Sequence, residues 1–193
     1  MIEPDLLGDT TEVRTGARLS DDEVYRYVLW RDWRDPETTD IARAQQRVMT
    51  FVMLNPSTAD HTLNDATTRK CIHYARREGF GAVVLLNLYA YRARNPKRLL
   101  AFGLEHGEDA IVGPDNRYWL RAHLTAARQT GSPIVVGWGA HLLGQEATRA
   151  GLGDLLGMFG VRTHALHVTK SGAPGHPLYL PNDAPLVEWE PTG

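Results

Sequence analysis

Phe51-Val52-Met53-Leu54-Asn55-Pro56-Ser57-Thr58-Ala59-Asp60 is the stretch on which the reading of this chain turns. An apolar run with strand character stops abruptly at Asn55-Pro56-Ser57. Asp60, His61, Asn64 and Asp65 follow before a helical pattern begins at Ala66. A buried parallel strand that releases its chain into a polar loop is where α/β folds place ligands. The stretch therefore reads as a site as well as a turn.

Working outward, residues 48–54 form one strand and residues 24–30, alternating apolar with polar and aromatic side chains, form another. The two are expected to pair as an antiparallel hairpin at one edge of a sheet. Residues 1–17 lack periodicity and read as a loosely ordered lead-in to a single α/β domain over residues 18–193. A helix is predicted over 66–78, ended by Gly79 and Gly81, with Asp65 placed to cap its first turn. Ala82-Val83-Val84-Leu85-Leu86-Asn87-Leu88 is a continuous apolar run, the mark of a strand buried on both faces. A short helical piece follows near 97–102. A longer helix is predicted from about Pro114 or Asp115 to Thr130, with Gly131 past its end. Residues 134–138 make a third buried strand, leading through Gly137 and Gly139 into a helix near 140–149. Residues 154–159 make another short helix, and 162–168 the last strand. This alternation argues for a three-layer α/β sandwich with a mainly parallel central sheet plus the N-terminal antiparallel hairpin.

Composition narrows the function classes. The 193 residues are 42% hydrophobic and 23% charged, ordinary values for a globular protein with one substantial core. No apolar run is long enough to span a bilayer, and the acidic Met1-Ile2-Glu3-Pro4-Asp5 opening lacks signal-peptide character, so no membrane partner and a cytoplasmic location are expected. Cys71 is the only cysteine, which leaves no disulfide, no cysteine-ligated cluster and no multi-cysteine zinc site. No metal site and no cofactor are expected. A net charge of −2 counts against tight, non-specific nucleic-acid binding but leaves room for a local basic face. Arg69, Lys70, Arg76 and Arg77 make one such cluster. Arg92, Arg94, Lys97 and Arg98 make another.

If the sheet is parallel, four strand ends open on one edge: Asn55-Pro56-Ser57, Asn87-Leu88-Tyr89, Gly137-Trp138-Gly139 and Thr169-Lys170-Ser171. A single asparagine at a strand end is more often a turn-former. Four polar or glycine-rich ends in one chain look like the lining of a cleft. Gly137-Trp138-Gly139 lacks the third glycine of a dinucleotide fingerprint, and there is no Walker segment. His164 and His167 fall on opposite faces of a strand and are poor partners for one metal. Tyr89 and Tyr91 share a parity suited to stacking on a planar ligand, although packing is the commoner role.

Taken together, these ends resemble the uracil-DNA glycosylase superfamily over about residues 48–180. Leu54-Asn55-Pro56-Ser57 is similar to its first motif, in the branch that uses asparagine. Val83-Val84-Leu85-Leu86-Asn87-Leu88 is similar to the strand whose asparagine reads the flipped base. Val135-Val136-Gly137-Trp138-Gly139-Ala140 is similar to its third segment, and His176-Pro177 to its closing His-Pro. Residues 169–175 intervene before that His-Pro, so either Lys170 or His176 takes the last motif position. Leu-Asn-Pro-Ser, Asn-Leu-Tyr-Ala-Tyr-Arg-Ala and Thr-Lys…His-Pro-Leu-Tyr-Leu also look like a bacterial group, the domain of unknown function 1643 family.

The glycosylase resemblance implies hydrolysis of the N-glycosidic bond of a modified or deaminated base, in a repair or base-processing role. Catalytic candidates are then Asn55, Asp60, Asp65, Lys170 and His176. Pro56, Ser57, Asn87, Tyr89, Arg92, Gly137 and Gly139 are the ligand-binding candidates. Asn55 has no useful titration, so it would orient a water, with Asp60 or Asp65 as carboxylate partner. Two alternatives share the fold: a non-catalytic module that binds nucleic acid or a nucleotide, and an enzyme acting on free nucleosides or nucleotides. Oligomeric state is left open.

Overall fold

A computed structural model describes residues 13–34, 47–57, 59, 62–141, 143–144 and 162–190. At its centre are the apolar runs β3 (Val48–Met53) and β4 (Ala82–Asn87), parallel from Val48 opposite Ala82 to Met53 opposite Asn87. β5 (Ile134–Val136) takes the other side of β3, and β6 (Thr163–Ala165) lies parallel beyond it. Antiparallel strands close both margins: β1 (Arg14–Leu19) and β2 (Arg26–Asp32) beside β4, and β7 (Val187–Glu188) beside β6. The order across the sheet is β1-β2-β4-β3-β5-β6-β7.

Strand alternation divides the core into two layers. Phe51, Met53, Val83, Leu85 and Val135 pack with Cys71, Tyr74 and Ala75 of α1 (Ala66–Arg77). Val52, Leu86, Ile134 and Val136 pack instead with Leu99 of α2 (Pro96–His106), Ile111 of α3 (Glu108–Val112) and Leu120 and Leu124 of α4 (Asn116–Thr130). Helices thus cover both faces of the sheet. Cys71 is buried in the first layer, and burial pushes its thiol well above the ordinary range, which makes it a packing residue. Among the described residues no helix is long and apolar enough to cross a membrane.

Several expectations change in detail. The antiparallel hairpin exists, but it joins β1 to β2, and β3 sits in the interior of the sheet. Five of the six β3 residues are buried, so β3 needs neighbours on both edges and cover on both faces. β2 borders β4 instead. β1 begins at Arg14, inside the stretch expected to be a loose lead-in. Its pattern is obscured by Gly16, which lies opposite Trp30 and under its ring. The helix expected near 97–102 extends over Pro96–His106 with Asn95 Oδ1 accepting from Lys97 N at 2.8 Å. The helix predicted from 114 or 115 to 130 starts at Asn116 and ends as expected at Gly131, in the left-handed conformation (φ 63°). α3 and β7 were not anticipated. The helix expected at 154–159 lies outside the described residues, as does most of that near 140–149.

Gly16 supplies a direct test of the margin. A Cβ there would sit 1.8 Å from Cζ2 of Trp30, so Gly16→Ala must displace the indole. Overpacking of this kind costs about 1–3 kcal/mol. Thermal unfolding of Gly16→Ala should show a midpoint lower by roughly 2–12 °C, given about 2–4 °C per kcal/mol for a chain of this size.

Candidate functional site

β4 and β5 lie on opposite sides of β3, so the chain leaves the carboxyl ends of β3 and β5 in different directions. Open α/β sheets bind ligands in the crevice at such a reversal. A cavity of about 670 Å³ occupies that position, within the range for a small-molecule site. Asn55 and Ser57 enter it from the end of β3, and Asp65, Thr67 and Thr68 from the start of α1. Gly139 and His141 come from beyond β5, and His167, Thr169 and His176 from beyond β6.

Asn55 is fixed by the backbone around it. Its Nδ2 donates to Ala93 O at 2.7 Å and to Pro56 O at 3.1 Å, while Ala93 N donates back to Pro56 O at 3.1 Å. Both partners of the amide nitrogen are acceptors, which settles the amide orientation and leaves Oδ1 as the group for a ligand or water. Asp65 has two duties. Its Oδ1 accepts from Thr68 N at 2.7 Å as the cap of α1, and it also borders the cavity. A cap of this type contributes about 1 kcal/mol.

His176 is held by the glycines that precede it in space. Gly137 N donates to Val52 O and Gly139 N to Pro174 O, both at 2.9 Å. A Cβ at Gly137 would stand 2.9 Å from Cδ of Pro177, and Gly139 has φ +75°. These two positions thus let the 174–177 segment close over the end of β5. Nδ1 of His176 accepts from Leu178 N at 3.3 Å, which puts the ring proton on Nε2. Burial pushes its pKa below the ordinary 6.5, against an opposing pull from Asp65, so the ring is neutral at pH 7.

The other candidates fall in different places. Pro56 is buried in the Asn55 lock. Lys170 is exposed in the turn after β6 and is not in the cavity wall, whereas His176 is. Tyr89 turns into the α4 side of the core and donates its hydroxyl to Leu143 O at 3.2 Å. Tyr91 stacks on Phe102 with centroids 4.1 Å apart. Arg92 reaches Glu23 O at 3.0 Å and lines a neighbouring hollow instead. Asn87 is 1% exposed, on the same strand face as the cavity-lining Leu85, and its Oδ1 and Nδ2 have no hydrogen-bond partner among the described residues. Asp60 lies outside the described residues. His164 is in β6 and His167 just past its end, and only the latter reaches the cavity. Among the described residues, no group of three or more His, Cys, Asp or Glu is arranged to hold a metal ion.

Sequence reasoning missed Arg26 and His141 of the cavity wall, and named Arg94 only in a basic cluster and Thr169 only in a strand end. Arg26 is the informative omission. It looks like the solvent position of an alternating strand, yet it is 2% exposed, with its pKa pushed down to about 10 by burial. No local pattern marks an arginine that faces inward from β2.

Fold and site together define an open α/β protein with a cavity of mixed apolar and polar lining at its topological switch point. A family model described as protein of unknown function (DUF1643) matches residues 26–178, and the chain belongs to that family. No curated protein and no solved structure matches the chain.

The buried imidazoles set a pH dependence. Burial lowers the pKa of His123 on α4 as it does that of His176. Unfolded, both return to about 6.5, so the unfolded chain binds more protons just below that pH and stability rises with pH there. Their contribution is complete above about pH 6.5 and is lost as pH falls through the lowered native values. Melting temperatures measured from pH 7.5 down to 5 should fall with acidification, and His123→Asn and His176→Asn should each flatten that slope.

Asn87 gives a second test. A buried amide without partners costs roughly 1–3 kcal/mol in desolvation. Denaturant unfolding of Asn87→Leu should therefore show stability equal to or above that of the native chain.

Proposed function

We propose that this protein hydrolyses the N-glycosidic bond of a modified or deaminated base, with Asn55, Asp65 and His176 as the reacting group. The observation that carries the reading is the convergence of these three side chains on one switch-point cavity. Cleavage separates a cationic sugar from an anionic base, so the site must orient a water and stabilise the departing charge. Asn55 Oδ1 accepts from the attacking water, with its amide nitrogen anchored on Ala93 O and Pro56 O. Asp65 takes the water's proton as general base. The Nε2–H of neutral His176 donates to the base oxygen on which charge builds. This division of roles agrees with the resemblance of Leu54-Asn55-Pro56-Ser57 and His176-Pro177 to glycosylase motifs.

A polynucleotide substrate is favoured by the adjoining hollow of Arg92, Arg94 and Arg98, which shares Ser57 and Arg94 with the cavity. Arginines beside the cavity mouth suit phosphates flanking an extruded nucleotide, whose flipping costs a few kcal/mol. The second reading is binding without hydrolysis. It is favoured by Asn55, which has neither an acidic nor a basic form to offer.

Base release from oligonucleotides carrying uracil, hypoxanthine or hypermodified bases tests both. The hydrolase reading expects release that drops about 10²–10³-fold in Asn55→Ala, as for loss of one preorganised group, and about 10²–10⁴-fold in His176→Ala. Retention of an oligonucleotide with no release of any base supports the binding module. Neither release nor binding removes both.

A further inference from the structure

β2 carries two buried arginines whose surroundings differ. Arg31, 0% exposed, donates Nε to Asn64 Oδ1 at 2.7 Å and its terminal nitrogens to the carbonyls of Trp30, Leu63 and Gly16. Arg26, also buried, donates Nη1 to Ala59 O at 2.7 Å, and its Nε has no partner among the described residues. No carboxylate lies within 4.0 Å of it among the described residues. Asp65 acts on it through space, and Arg92 and Arg31 repel it. A guanidinium out of water with so little compensation is costly to the folded protein. This one borders the cavity, where a ligand can supply the missing charge.

We infer that the cavity contains an anion subsite at Arg26 that takes a terminal phosphate. The wall around it is suited to a tetrahedral oxyanion with more oxygens than a carboxylate. Ser57, Thr67 and Thr68, all hydroxyl-bearing, line the same cavity, and Arg94 adds a second cation to its wall. Asp65 does not fill the role, because its Oδ1 is engaged by Thr68 N and it makes no ion pair with Arg26. The phosphate belongs either to a nucleoside monophosphate or to the end of an oligonucleotide. Both present the same chemistry to Arg26. The subsite shares its cavity with the proposed reaction but does not depend on that reaction taking place.

Thermal unfolding of the full chain at matched ionic strength tests this. The probes are chloride, acetate, inorganic phosphate, a nucleoside 5′-monophosphate with its parent nucleoside, and single strands with and without a 5′-phosphate. At about a hundredfold excess over the dissociation constant, a phosphate-bearing probe should raise the midpoint by roughly 5–10 °C. The parent nucleoside and the unphosphorylated strand should raise it less. Arg26→Met should abolish the difference while raising the midpoint of the ligand-free protein, an outcome a merely structural arginine would reverse. Arg26→Lys keeps the charge without the planar fork and should weaken binding at least tenfold, which serves as the reading if Arg26→Met does not fold. Preference for the monophosphate or for the phosphorylated strand identifies the source, and either supports the subsite. No rise with any phosphate-bearing probe, an equal rise with acetate, or an undiminished rise in both variants overturns it. Phosphate binding without base release removes the hydrolase and leaves the subsite; release that persists without phosphate binding does the opposite.

Discussion

β3 needs cover on every side. Met49, Phe51, Val52 and Met53 are each less than 5% exposed, so the strand must have a paired neighbour on each edge and a helical layer on each face. β4 supplies one edge and β5 the other, both parallel to it. Because β3 is the first of the parallel strands in the chain, strands added on both its sides reverse the direction of winding there, and the reversal opens a crevice at the carboxyl ends. Cavity and switch point therefore follow from the central place of β3 in the sheet.

The backbone of the polar loop is tied down. Asn55 gives its amide nitrogen to main-chain carbonyls, and the Leu54 carbonyl accepts from Tyr89 N at 3.0 Å. On the opposite wall, Gly137 and Gly139 allow Pro174 and Pro177 to approach the end of β5 and bring His176 with them. Groups held by short backbone contacts lose little freedom when a ligand arrives, which is what a preorganised site requires. The same enclosure lowers the pKa of His176 and leaves Arg26 poorly compensated. A neutral donor and a buried cation on one cavity favour ligands that carry or develop negative charge.

Much of this was legible beforehand, and the failures have a common cause. Asp65 as the cap of α1, Gly131 as the stop of α4 and the apolar run of β4 are local features, set by hydrogen-bond geometry or by side-chain type within a few residues. Asn55 was legible as a strand-end polar group, and His176 only through the resemblance of His176-Pro177 to a glycosylase motif. Tyr89 and Lys170 carried the same signal and went elsewhere, because exposure at a strand end depends on which face the next turn takes. The pairing of β2 was misread for a related reason: adjacency in sequence suggested β3, whereas burial of β3 left β2 the outer edge of β4.

The sequence by itself therefore determined the central elements, among them β3, β4, α1 and α4, since periodicity and turn chemistry act over single turns and strands. Only the tertiary structure decided that Arg26 faces inward with one hydrogen bond while Arg31 on the same strand is fully provided for. It also decided that Asn87 lies sealed without a side-chain partner among the described residues, and that His176 reaches the cavity while Lys170 does not. Each of these depends on what chain segments distant in sequence bring against a side chain. Desolvation and hydrogen-bond satisfaction are properties of that assembled surrounding, and no local window contains it.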